Sequence, residues 1–291
     1  MKALIFGING QDGIYLSGIL EKRGISVTGV SRSSGQWLKG DVGNTDFVIN
    51  LVKTEKPDYI FHLAANSRTH HSLLREHQST IVNGSLNILE AISDYSPASK
   101  VFITGSGLQF QNSGHPINEE TPFEANDVYS LARIQSVYAA RYFRSKGLKI
   151  YTGYLFHHDS PYRNTAHLNR RIADAAKAAS NGKPEMLTIG DISVEKEFGY
   201  ADDIASGIFR LVEQDDLFEA CIGTGKAFKI EKWLDLCFSH YRLNWKNYVQ
   251  PDPAFRPEFK KLVSDPQKMN QIGWEAKTGI EKLASLMLES V

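Results

Sequence analysis

Ala3-Leu4-Ile5-Phe6, followed by Gly7-Ile8-Asn9-Gly10-Gln11-Asp12-Gly13, is the stretch on which the fold turns. Four apolar residues closed by a glycine read as a short strand buried on both faces. Behind them an amphipathic run predicts a helix over residues 13–22. The glycines permit a tight turn and let the backbone approach a pyrophosphate, which then rests on the helix N-terminus. The spacing is GxxGxxG rather than GxGxxG, and three glycines alone mark only a turn. Their place between an N-terminal strand and a helix is what points to a dinucleotide. Gly7, Asn9, Gly10, Gln11, Asp12 and Gly13 are assigned to it.

Outward from this loop, residues 26–30, 59–63, 100–104 and 148–155 read as further strands. Residues 46–54, 73–92 and 126–145 read as helices between them. Uniformly apolar strands alternating with helices predict a Rossmann-like, doubly wound parallel sheet of the α/β class. From His157 onward the apolar runs shorten, and loops 159–165 and 251–257 carry Pro, Arg and Asp. A smaller mixed α/β substrate domain is therefore expected at 156–291, beside a dinucleotide-binding domain at 1–155. Residues 199–212 are expected to return to the first domain.

The 291 residues suit one large domain or two joined ones. Lys and Arg total 33, as do Asp and Glu, so the net charge of zero argues against nucleic acid or an anionic membrane as partner. No apolar stretch reaches membrane-spanning length. The opening MKALIFGINGQDG meets polar residues too early for a secretory signal, so a cytoplasmic protein is expected. Cys221 and Cys237 are the only cysteines, and no CxxC occurs, so neither a disulfide framework nor a zinc site is expected. His70, His71 and His77 lack a carboxylate at matching offset and read as surface polarity, with no metal.

The second strand ends Gly29-Val30-Ser31-Arg32-Ser33-Ser34. A carboxylate there would bond the ribose 2′-hydroxyl of NAD, and none is present. Arg32 and Ser33 instead suit a 2′-phosphate, so NADP(H) is expected ahead of NAD(H). Asp41 and Val42 are placed near the adenine. Leu63-Ala64-Ala65, at a strand end, lets the backbone pass close to the cofactor.

Tyr129 and Arg133 lie one helical turn apart. Tyrosine, with an ordinary pKa of about 10, exchanges protons poorly at neutral pH unless a cation lies beside it. Arg133 supplies that cation, and the Ser106 hydroxyl can hold a carbonyl or alkoxide oxygen. Singly, each has an ordinary reading: a half-buried aromatic, a solvated charge, a turn residue. Their order after the glycine loop makes them a candidate catalytic set.

With these residues in view, the chain resembles the extended short-chain dehydrogenases/reductases that modify nucleotide sugars, and within them the GDP-mannose 4,6-dehydratase branch. The likeness runs almost end to end. It is carried by GINGQDGIYL at 7–16, NGSLNILEAI at 83–92, EETPFEANDVYSLAR at 119–133, LFHHDSPYRN at 155–164, IGTGKAFKIEKWL at 222–234 and the closing 255–283. Two departures bear on chemistry. The family motif is YxxxK, and Arg133 stands where the lysine belongs. The family's strand-end segment reads Thr-Ser-Glu-Leu-Tyr-Gly, its glutamate removing the sugar C5 proton, and Leu108 stands in that place.

The resemblance further assigns Thr104, Leu155 and His158 to the cofactor, with Ser67, Gly107 and Leu108 on the substrate side. It places His157 (an asparagine in the family), Asp159, Ser160 and Arg163 on a substrate loop. Arg171 matches a family position, Lys196 stands where the family has arginine, and Arg256 is the expected diphosphate ligand. A GDP-linked sugar is the implied substrate, and helices 73–92 and 126–145 are the implied homodimer faces. Segment 35–39 is too short for the family's tetramer arm.

Because leucine exchanges no proton, hydride transfer at sugar C4 is the expected activity: a 4-keto-6-deoxy-sugar reductase or a related C4 oxidoreductase or epimerase. A 4,6-dehydratase recruiting another base, such as a histidine, is the alternative. A non-catalytic cofactor-binding relative is the second.

Overall fold

The computed structural model describes residues 1–289. Its first half alternates β1 (Lys2–Phe6), α1 (Gln11–Lys22), β2 (Ser26–Ser31), β3 (Leu38–Lys39), α2 (Thr45–Glu55) and β4 (Tyr59–His62). Helix α3 (Leu74–His77) then runs through a π turn at Gln78–Asn83 into α4 (Gly84–Tyr95). Next come β5 (Lys100–Ser106), α5 (Val128–Ser145), β6 (Lys149–Leu155) and β7 (His158–Asp159). The second half holds α6 (Leu168–Ser180), β8 (Leu187–Ile189), β9 (Glu195–Glu197), β10 (Gly199–Tyr200) and α7 (Ala201–Val212). It continues with β11 (Glu219–Ile222), β12 (Ala227–Lys229), α8 (Ile230–His240), β13 (Val249–Pro251), β14 (Lys261–Leu262), α9 (Gln267–Gln271) and α10 (Ile280–Glu289).

Seven strands pair in parallel in the order β11-β6-β5-β4-β1-β2-β3. This is the doubly wound Rossmann-like sheet, buried on both faces. On one face Leu16 and Leu20 of α1 and Ile204 and Ile208 of α7 meet Phe61, Phe102 and Tyr151. On the other, Val48, Val52, Ile88 and Ile92 pack on Leu4, Ile60, Val101 and Ile150. Each such side chain stabilises the fold by about 1.5–3 kcal/mol relative to exposure. From β1 the chain winds outward through β2 and β3, then crosses to β4 on the other side. The switch point at the carboxyl ends of β1 and β4 is where ligands bind in such sheets.

The expected helix over 73–92 is not one α-helix. At the π turn the Thr80 carbonyl pairs with His62 Nε2 at 3.0 Å, and the Ser85 hydroxyl donates to the Ile81 carbonyl at 2.6 Å. One wide turn barely disturbs hydrophobic periodicity, so it leaves no trace in the pattern. Helix α5 starts in a capping box. Asp127 accepts from the N–H groups of Tyr129 and Ser130 at 2.7 and 2.8 Å, and the Asp127 N–H donates to the Ser130 hydroxyl at 3.0 Å. That cap sets Tyr129 on the first turn.

The segment returning to the large sheet includes α7, which packs on α1, and also β11 at the sheet edge. Met269 and Trp274 join the same core. A second core gathers Trp233, Phe198, Leu234 and Phe238 with α6, α8 and α10, and Trp233 Nε1 donates to the Asn169 carbonyl at 3.1 Å. Among the described residues no helix is long and apolar enough to cross a membrane.

Candidate active site

Gly7 adopts φ +94°, and a Cβ there would lie 2.7 Å from the Ala64 nitrogen. At Gly13 a Cβ would come within 2.5 Å of the Gly7 carbonyl oxygen. Only glycine lets the ends of β1 and β4 and the start of α1 close up this tightly. No side chain caps α1 at Gly10, which leaves its first-turn N–H groups open to an anion. A cavity of about 350 Å³ lies here, walled by Gly7, Asn9, Gly10, Arg32, Ser33, Asp41, Val42 and Leu63 to Ala65. These features fit a dinucleotide. Asn9 Nδ2 donates to the Ser33 hydroxyl at 3.1 Å, and Arg32 pairs with Glu76 at 3.0 Å. Gly13 is buried in the first turn of α1, against Gly7 and Ile8.

Gly10, Leu63 and Ala65 also wall an inner chamber of about 440 Å³. Ser106, Tyr129 and Arg133 converge on it, with Ser67, Thr104, Gly107, Leu108 and Leu155. Arg133 is 2% exposed, and its Nη1 donates to the Thr104 carbonyl at 2.7 Å. Its guanidinium carbon lies 5.0 Å from the Tyr129 ring centroid, a cation–π contact. Arg133 is thus clamped to the end of β5 and to the tyrosine face. Burial, with the Arg133 charge added, pushes His62 down to about 3, so that ring is neutral. The Ser106 hydroxyl accepts from the Leu108 N–H at 3.2 Å, while the Ser106 N–H donates to Gln109 Oε1 at 2.8 Å.

Beneath the chamber, Asp12 and the segment after β6 lock together. His158 Nε2 meets Asp12 Oδ1 at 2.8 Å, and Nδ1 meets the Phe156 carbonyl at 2.7 Å. Gln11 Nε2 donates to the His158 carbonyl at 3.3 Å, and Gln11 Oε1 accepts from the Ser160 hydroxyl at 2.9 Å. Asp159 accepts from Arg163 Nε and from Asn169 Nδ2, both at 2.6 Å. Asp159 and Ser160, expected on the substrate loop, are completely buried and are absent from the lining of this chamber; they hold Arg163 and Gln11. His77 also departs from its reading as surface polarity. It is fully buried, pairs with the Arg68 carbonyl at 2.8 Å and packs edge-on against Tyr129.

On the far wall Lys196 Nζ lies 3.1 Å from His157 Nε2. Burial pushes Lys196 down to about 8 and, with the lysine charge, holds His157 well below its ordinary value. Lys196, Glu258 and Phe259 are shared with a third cavity of about 500 Å³, to which Arg171 and Arg256 contribute. Arg171 Nη2 donates to the Thr188 carbonyl at 3.3 Å, and Arg256 Nη1 to the Phe255 carbonyl at 2.9 Å. Across the chamber mouth the Thr69 hydroxyl donates to Glu258 Oε1 at 2.9 Å. Sequence reasoning missed this pair. Glu258 stood beside Arg256 in a quoted segment, but Thr69 belongs to no motif. Among the described residues no group of three His, Cys, Asp or Glu side chains is placed to hold a metal.

The switch-point loop, the Ser106–Tyr129–Arg133 cluster and the three cavities in series define an extended short-chain dehydrogenase/reductase of the nucleotide-sugar epimerase/dehydratase type. The chain belongs to the GDP-mannose 4,6 dehydratase family, whose family model matches residues 4–287. It is 29% identical to GDP-mannose 4,6 dehydratase 1 of Arabidopsis thaliana over 99% of this chain and 88% of that one. It is 27% identical to the GDP-mannose 4,6-dehydratase of Sinorhizobium fredii, covering 98% and 95%. Among solved structures, UDP-glucose 4-epimerase of Thermus thermophilus with NAD superposes with a TM-score of 0.86 at 20% identity, covering 100% and 98%. RMD of Pseudomonas aeruginosa with NADPH gives 0.83 at 18%, covering 99% and 96%. The last two show a shared fold.

Proposed function

We propose that the chain oxidises a GDP-linked hexose at C4 and then removes water across C5 and C6, the reaction type named by its family. The observation that carries this reading is a family match over nearly the whole chain, laid on one groove whose three cavities suit dinucleotide, sugar and nucleotide in turn. NADP is the proposed dinucleotide, because Arg32, Ser33 and Asn9 offer donors for a 2′-phosphate. When bound, its nicotinamide supplies a reversible hydride acceptor. Tyr129 takes and returns the C4 hydroxyl proton, Ser106 holds the same oxygen, and Arg133 fixes the tyrosine ring. Arg171 and Arg256, which line the outer cavity, neutralise the diphosphate. The first core carries the dinucleotide and the second the sugar nucleotide, inside the cytoplasm. Leu131, Tyr138 and Tyr142 on the outer face of α5 are exposed and supply a homodimer contact.

A second reading, reduction of a 4-keto-6-deoxy sugar, is favoured by Leu108, which puts a side chain that exchanges no proton in the chamber with Tyr129. A paired assay separates the two. GDP-mannose with NADP is expected to give a 4-keto-6-deoxy product. Oxidation of NADPH by GDP-4-keto-6-deoxymannose, with no product from GDP-mannose, would establish the reductase. Dinucleotide binding with silence in both tubes would identify a non-catalytic relative.

A further inference from the structure

Among the described residues two carboxylates reach the chamber, and neither is a free base beside Tyr129. Asp12 is spent on His158, and Glu258 stands exposed at the mouth, bonded to Thr69. The groove does hold a buried amine. Lys196 is 7% exposed, and its side chain has two neighbours of note: His157 Nε2 at 3.1 Å and the Phe198 ring, 5.4 Å from Nζ to centroid. Among the described residues no carboxylate comes within ion-pair distance of it. A buried ammonium with no carboxylate in contact is costly, so burial shifts the site toward the neutral amine.

We propose that Lys196 is the general base that removes the sugar C5 proton, with His157 as the residue that positions it. The inference rests on the dehydratase reading above. With C4 at the ketone level, the Lys196 amine takes the C5 proton and becomes an ammonium. The electron pair of the broken C5–H bond forms the second C5–C6 bond as the C6–O bond breaks. The ammonium returns its proton to the departing hydroxyl, which leaves as water, so the step is redox-neutral and the amine is regenerated. His157 accepts a hydrogen bond from Nζ in either state and aims the amine into the chamber.

The charges around Lys196 come from several elements. Asp159 on β7 favours the ammonium, and Arg163 on the following loop opposes it. His167 and Glu258 line the same chamber. The net result, an amine near 8, is suited to proton exchange at cellular pH.

A lysine that only grips diphosphate would occupy the same place, and arginine separates the roles. The test follows deuterium entry at C5 of GDP-4-keto-6-deoxymannose in D2O by NMR, which needs no dinucleotide turnover. Wild-type exchange is expected to rise as pH passes through about 8. Lys196→Arg is expected to lose exchange by about 100-fold or more while GDP affinity stays within a few-fold. His157→Asn should slow exchange and shift its pH profile. Exchange at the wild-type rate in Lys196→Arg overturns the proposal, leaving a phosphate ligand. Loss of exchange in Glu258→Gln alone overturns it in favour of the carboxylate at the mouth, and so does a wild-type protein that exchanges nothing. Failure of the function itself is read separately, from the paired turnover assay.

Discussion

At position 133 a guanidinium does two jobs at once: Nη1 satisfies the buried Thr104 carbonyl, and the cation covers Tyr129. Lysine has a single nitrogen for both. Arg133→Lys is therefore expected to cost about 2 kcal/mol in urea unfolding, the scale of a charged hydrogen bond. Unchanged unfolding would show that the clamp carries no stability. Gly7 gives a sharper result, because a methyl 2.7 Å from the Ala64 nitrogen at φ +94° has nowhere to go. Gly7→Ala should abolish dinucleotide binding in a fluorescence titration. That Gly7 would sit at a strand end and that Ser106, Tyr129 and Arg133 would share one chamber was legible because local spacing marks them. The burial of Asp159, Ser160 and His77 was not legible, because their partners lie elsewhere in the chain or their burial is set by other elements, and no local pattern carries that.

Among the elements, α1 is tied to the segment after β6 by Asp12 and His158. Both ring nitrogens of His158 face acceptors, which calls for the imidazolium. Burial alone would lower its pKa, but the Asp12 charge outweighs this and raises it above 6.5. Burial alone would raise Asp12, and the His158 charge instead holds it below 3.8. A raised histidine contributes fully below 6.5, and the contribution fades as pH climbs through the folded value. A lowered aspartate contributes above 3.8 and loses its contribution as pH falls through its folded value. Wild-type stability is thus expected to decline above neutral pH. Asp12→Asn should cost about 3 kcal/mol near pH 6 and flatten that decline. Urea melts across pH 6–9 check both; a slope that persists in the variant would place its origin elsewhere. The π turn after α3 and the two-residue β3 escaped the sequence, since neither is long enough to impose a period.

For the whole molecule, the doubly wound sheet was legible because each of its longer strands is a continuous apolar run. A smaller mixed unit beyond it was expected too, but its strands were not legible one by one, since β8, β9, β12, β13 and β14 span two or three residues each and carry no pattern of their own. The proposed dimer would use the outer surface of α5, where Tyr138 and Tyr142 are each 58% exposed. Light scattering is expected to find a dimer for the wild type and a monomer for the Tyr138→Glu, Tyr142→Glu double variant. A wild-type monomer would remove α5 as an interface.

The bond between half-buried Thr69 and exposed Glu258 lies at the surface, so breaking it costs about 1 kcal/mol. If the proposed reaction holds, an entrance closed by one such bond is expected to open many times in each turnover. Thickening the solvent should therefore leave that turnover unchanged, its clock being set by bond-making deep in the groove rather than by passage through the lips.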